Sequence, residues 1–129
     1  MSRLDPLGDL RRTHFCGSLR PSDVGREVVL CGWVRKRRDH GGVIFIDLRD
    51  RTGLAQVVFK PDTELAAHTK AQAVRAEWVL LVRGVLARRD GEAVNPNLPT
   101  GEVELVAHEV RILNTATTPP FEIEDDVVL

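Results

Sequence analysis

The chain is poor in aromatics: it has no tyrosine, two tryptophans and four phenylalanines, 5% of its residues together. An aromatic side chain placed away from the core therefore asks for a reason. Cys16 and Cys31 are the only cysteines, too few for a disulfide framework and spaced for no zinc pattern. They read as two small apolar side chains. No apolar run is long enough for a membrane span and no signal-peptide core is present, so no membrane is expected and the cytoplasm is the expected compartment. The histidines, His14, His40, His68 and His108, are scattered without metal-ligand spacing. No Ser/His/Asp or Cys/His arrangement emerges, and no glycine-rich loop leads into a helix to cradle phosphates. No catalytic residue, metal site or cofactor is expected in this chain.

What is present suits one domain with one core: 129 residues, 43% of them apolar and 29% charged. The net charge of −1 hides an asymmetry. Between Trp33 and Lys60 the cations Arg35, Lys36, Arg37, Arg38, Arg49 and Arg51 outnumber the acids, whereas beyond Glu92 acids face Arg111 alone. A basic half in a neutral protein points to a local anion site.

The stretch from Trp33 to Phe59 organises the rest. An apolar-to-basic run ends at Asp39-His40-Gly41-Gly42. Val43 to Asp50 then alternates, with Ile44, Ile46 and Leu48 on one face and Val43, Phe45, Asp47 and Arg49 on the other. After Arg51-Thr52-Gly53, Leu54 to Phe59 alternates again. Alternation between glycine-containing breaks predicts antiparallel strands in meander order.

Before this stretch, residues 1–12 read as an extension, Thr13 to Leu19 as a short edge strand, and Arg20 to Gly25 as a turn or single helical turn closed by glycine. Glu27 to Arg38 is the first long strand, apolar on both faces early and basic on both late, as in a barrel wall; Gly32 suits a sharp bend there. Beyond it, Leu65 to Ala76 is a helix with a small stripe of Ala67, Ala71 and Val74, and Asp62 is its expected cap. Trp78 to Leu86 and Glu102 to Leu113 are strands four and five, separated by a long loop from Arg88 to Thr100. Residues 114–129 carry Pro119-Pro120 and then acids, and read as a linker.

Three meandering strands, a helix and two more strands match an all-β fold, the five-stranded OB-fold Greek-key barrel with one helix between strands three and four. Its binding surface is the face of strands two and three, flanked by the loops after strands one and four. Residues 13–113 would form this domain. Phe45 would then face outward as a stacking platform for a base, unless it packs beneath the helix or a loop. Lys36 and Arg38 share a face and would grip phosphates together, the alternative being a solvated strand end. Gln56 offers a donor and an acceptor that match the edge of a uracil. Glu104 would accept from a base, or else be merely solvated.

Arg12–Leu19 (RTHFCGSL), Val24–Phe59, Asn95–Leu105 (NPNLPTGEVEL) and Leu113–Ile123 (LNTATTPPFEI) together resemble the N-terminal region of bacterial-type aspartyl-tRNA synthetases. The ordered motifs GWV, RRD, FIDLRD and QVVF are the most specific part of this resemblance. Synthetases for asparagine and lysine match more loosely. The resemblance implies an anticodon-binding domain whose partner is tRNA. Phe45 would stack on the middle uracil, Gln56 would read its edge, Lys36 and Arg38 would contact the anticodon loop, and Glu104 would read the first base.

Two departures stand out. Lys36 occupies a position usually held by Arg, which loses the planar fork and keeps the charge. Ala93 stands where some members have a contacting Asn, although Arg89, Asn95 and Asn97 lie nearby. His40 with Gly41 resembles the relaxed type that also accepts asparagine tRNA, where strict members often have Leu; the alternative is a loop histidine without a base contact.

The family's ATP, magnesium and aspartate chemistry belongs to a catalytic domain outside these residues, so this chain alone is not expected to be an enzyme. The parent enzyme is expected to be a homodimer. The other readings are a freestanding OB protein binding single strands without base selection, and a scaffold whose apolar edge docks a partner.

Overall fold

The computed structural model describes residues 10–115. Most of the expected 1–12 extension and all but the start of the 114–129 linker lie outside that range. Five strands close into a barrel in the order β1-β2-β3-β5-β4: β1 Glu27–His40, β2 Val43–Asp50, β3 Gly53–Phe59, β4 Val79–Arg88 and β5 Val103–Asn114. The helix α1, Leu65–Ala71, joins β3 to β4. All neighbouring strands pair antiparallel except β3 with β5, which run parallel and complete the Greek key.

Alternation in β2 and β3 sorts side chains as the sequence predicts. Ile44, Ile46 and Leu48 point into the barrel with Ala55, Val57 and Phe59 of β3, all at most 2% exposed. Filling a barrel this narrow with branched side chains is what makes its interior a core and not a channel. Residues 27–33 of β1 pair with β4, and 33–40 pair with β2, so this one strand belongs to both walls. Gly32 sits at the crossing, where a Cβ would lie 2.4 Å from the Arg49 carbonyl oxygen.

Three expectations need correction. Thr13 to Leu19 is not an edge strand; Cys16–Ser18 is a 3-10 turn with Cys16 and Leu19 buried in the core. The Asp50 carboxylate accepts the Cys16 N–H at 2.8 Å and the Thr52 hydroxyl accepts the Gly17 N–H at 2.9 Å. Side chains thus take the backbone donors that a ladder would have used. Asp62 does not cap α1: Glu64 is the N-cap and makes no side-chain cap bond, because the Thr63 and Glu64 amides turn back onto the Lys60 carbonyl first. Nor does α1 reach Ala76. After Ala71 the amides of Gln72, Ala73 and Val74 bond three residues back, tightening the chain out of the helix. The stripe of Ala67, Ala71 and Val74 is nevertheless buried, as expected.

Candidate nucleic-acid interface

The parity of strand one in the sequence puts Lys36 and Arg38 with Val34. In the fold Val34 pairs with Leu48 and points inward, but the register shifts between Val34 and Lys36. Arg35 is the extra residue of a β-bulge, and a bulge re-aims the side chains beyond it. Lys36 then pairs with Asp47 and Arg38 with Phe45, both outward positions of β2. The two cations share a face, as expected, and the bulge makes it the outer one.

Arg37 takes the other side. Its guanidinium donates to the carbonyls of Ala71, Gln72 and Val74, the shortest at 2.6 Å, and its Nε lies 3.2 Å from Asp39. Of the four consecutive cations, this one is committed to holding the end of α1.

On the outer face the side chains connect in a row. Phe45 is half-buried, with the Arg38 guanidinium 5.9 Å from its ring centroid. Arg38 donates to both Asp47 oxygens, at 3.2 and 3.4 Å, and to the Gln56 side-chain oxygen at 3.1 Å. Gln56 donates onward to Glu104 at 3.0 Å. Gln56 is outward, as expected, yet only 7% exposed, because Arg38 and Glu104 flank it.

Beside this row a cleft of about 480 Å³ opens between the barrel wall and the 88–100 loop. Arg35, Arg38, Arg49 and Arg89 line it with Asp47, Gln56 and Leu98. Arg89 is buried and donates to the Val103 and Ala93 carbonyls, which ties down its own loop; burial lowers its pKa, and Glu104 and Asp47 oppose that shift. The Thr100 hydroxyl fastens the other end of the loop to the Leu54 carbonyl at 2.6 Å. The side chains of Arg35, Lys36 and Arg49 are exposed and make no hydrogen bond or ion pair among the described residues. Arg49 lines the cleft although the sequence reasoning does not single it out; its outward parity beside Phe45 and Asp47 is a signal that could have found it.

His40 stands apart from the cleft, exposed at a two-residue hairpin. Gly41 and Gly42 carry φ of +61° and +85°, as the hairpin turn that suits strand twist requires. Ala93, in the 3-10 turn Gly91–Ala93, is exposed. Both cysteines are buried, and burial followed by the Asp50 carboxylate pushes the Cys16 thiol up, away from nucleophilic use. No group of side chains among the described residues is arranged to hold a metal ion, and no helix there is long and apolar enough to cross a membrane.

A closed five-stranded barrel that carries an aromatic on strand two, a polar row across strands one, three and five and unpaired cations on strands one and two has the architecture of an OB-fold binding domain. Residues 28–113 match the model of the OB-fold nucleic acid binding domain, and the chain belongs to that family. It is 56% identical over 124 residues to an aspartate–tRNA(Asp/Asn) ligase of Desulfosudis oleivorans, a match that covers 96% of this chain and 21% of that protein. The resemblance to aspartyl-tRNA synthetases in the sequence is thereby borne out, and the chain spans about a fifth of the length of such relatives.

Among solved structures, asparaginyl-tRNA synthetase from Pyrococcus horikoshii shares the fold. Its TM-score is 0.68 at 24% identity, over 84% of this chain and 24% of that one. An OBody bound to hen egg-white lysozyme superposes with a TM-score of 0.71 at 26% identity, over 83% of this chain and 97% of that one.

Proposed function

We propose that this chain is the anticodon-recognition module of an aspartate–tRNA ligase. The observation that carries the reading is the continuous row Phe45, Arg38, Gln56, Glu104 on the outer face of β1, β2, β3 and β5. Phe45 supplies a ring face for the middle base, worth about 1–3 kcal/mol if one base stacks. Gln56 presents an amide to the edge of that base, and Glu104 accepts from the first. Lys36 and Arg38 approach the backbone of the loop, and Arg89 shapes the wall from which the 88–100 loop meets it. His40 faces the third base, cytosine in aspartate tRNA and uracil in asparagine tRNA. A neutral imidazole accepts from the amino group of the one or donates to the carbonyl of the other, which suits a module that takes both.

In this reading residues 13–113 bind and 114–129 lead toward a separate catalytic domain, where ATP and magnesium activate aspartate. The full ligase works in the cytoplasm as a homodimer. This chain contributes recognition and no chemistry of its own.

The test is a titration of anticodon stem-loops with aspartate, asparagine and lysine anticodons at one salt concentration. Tighter binding of the first two supports the proposal. The unpaired Arg35, Lys36 and Arg49 favour a second reading, a single-strand binder without base selection. Flat affinity would select it, and absence of salt-dependent binding would reject both.

A further inference from the structure

The turn of the β1–β2 hairpin is open on the side its glycines face: a Cβ on Gly41 or Gly42 would meet no atom within 4 Å. Two glycines at a two-residue turn give that tip wide conformational freedom in an unrestrained chain. Yet the tip is tied at one point. The Nε2 of His68, on α1, lies 2.7 Å from the Gly42 carbonyl oxygen. A carbonyl only accepts, so the imidazole must donate there. His68 is 8% exposed, well sheltered for a histidine on a surface helix.

A second bond set runs the opposite way. Arg37, three residues before the tip's His40, reaches back to the carbonyls that end α1. Helix and hairpin are thus cross-linked twice, by one side chain from each, about the hairpin end that bears Arg38, His40 and Phe45.

We propose that α1 is a strut for the β1–β2 hairpin and that His68 is a positioning residue, setting where His40 meets the third anticodon base. The inference rests on the anticodon reading for its ligand, but not for the strut itself. His68 touches no RNA in this scheme; it acts through the Gly42 carbonyl. Phe45 lies three residues beyond the turn within the β2 ladder, so its stacking depends far less on the bond than His40 does.

The experiment crosses a protein change with an RNA change, which isolates a pairwise coupling. His68→Leu removes the donor at similar bulk. His68→Gln retains an amide donor for the same carbonyl. Each is titrated against the aspartate anticodon stem-loop and against the same stem-loop made abasic at the third position. His68→Leu is expected to weaken the intact stem-loop three- to tenfold and to leave affinity for the abasic one unchanged, with His68→Gln restoring most of the loss. Equal weakening of both stem-loops, or no rescue by Gln, would overturn the positioning role.

Amide exchange at Gly42 and Val43 tests the strut apart from its ligand. It is expected to rise in His68→Leu whether or not any stem-loop binds. Unchanged exchange would remove the strut, whereas wild type that binds no stem-loop, with exchange raised in the variant, would fault the anticodon reading alone.

Discussion

Gln56 donates its side-chain N–H to Glu104 across 3.0 Å, and its oxygen is taken at 3.1 Å by Arg38. A guanidinium has only donors and a carboxylate only acceptors, so one orientation of the amide satisfies both. Gln56 therefore waits in a fixed pose. A base that reads it must use the remaining lone pair and N–H, or exchange with one of the flanking charges.

Gln56→Glu is expected to lose that pose. The new carboxylate would stand against Glu104 and could not donate to a uracil carbonyl. The preference for uracil at the middle position should fall by about 1–3 kcal/mol, the worth of a bidentate pair. Stem-loops with each of the four middle bases measure it. Equal losses on all four would mean that only the local charge had changed.

Phe45→Ala is expected to weaken stem-loop binding by about 1–3 kcal/mol and to leave the melting temperature nearly unchanged, because the ring is half-buried on the outer face. Its neighbour Ile44, 2% exposed and inside the barrel, sets the contrast. Ile44→Ala should cost about 2–5 kcal/mol of stability. A Phe45 variant that melts as low as the Ile44 variant would make Phe45 a core residue.

Arg38 is ion-paired with Asp47 at 3.2 Å, while Lys36 and Arg49 have no partner carboxylate among the described residues. Lys36→Ala or Arg49→Ala should each reduce the slope of log affinity against log salt by about 0.7, one phosphate's share on a single strand. Arg38→Ala should lower affinity with a smaller change in slope, since its charge is already partly compensated. The opposite ranking would assign the phosphate grip to Arg38.

His40→Leu tests selectivity at the third base. Wild type is expected to bind aspartate and asparagine stem-loops within roughly 1 kcal/mol of each other, below the ~1–3 kcal/mol of strict base-edge readout, and the variant to widen the gap. The two titrations are run at one salt concentration. A wild-type preference above tenfold, or a variant with the same ratio, would deny His40 a part in specificity.

The strands are legible in the sequence because each carries one buried face, and burial enforces a period of two. Val43 to Asp50 is legible to the residue for that reason. The Thr13 to Leu19 segment is not, because its structure is decided by Asp50 and Thr52, more than thirty residues away. A local pattern carries no trace of such partners. The outward aim of Phe45 follows from parity alone, but the aim of Lys36 and Arg38 depends on a bulge that leaves no mark in a run of like charges. The shelter of Gln56 is equally hidden, since it comes from side chains of β1 and β5 on either side of it.

The extra residue at Arg35 lets one strand follow two masters. Before it, inside and outside are set by what fills the barrel; after it, the count restarts, and the same strand answers to whatever approaches from solvent. Plain alternation from Val34 with Arg35 in the ladder would turn Lys36 and Arg38 inward and Arg37 outward, whereas deleting Arg35 would remove the bulge and keep Lys36 opposite Asp47 and Arg38 opposite Phe45. A drift of sequence beyond the bulge can thus change the partner while the barrel keeps its grammar.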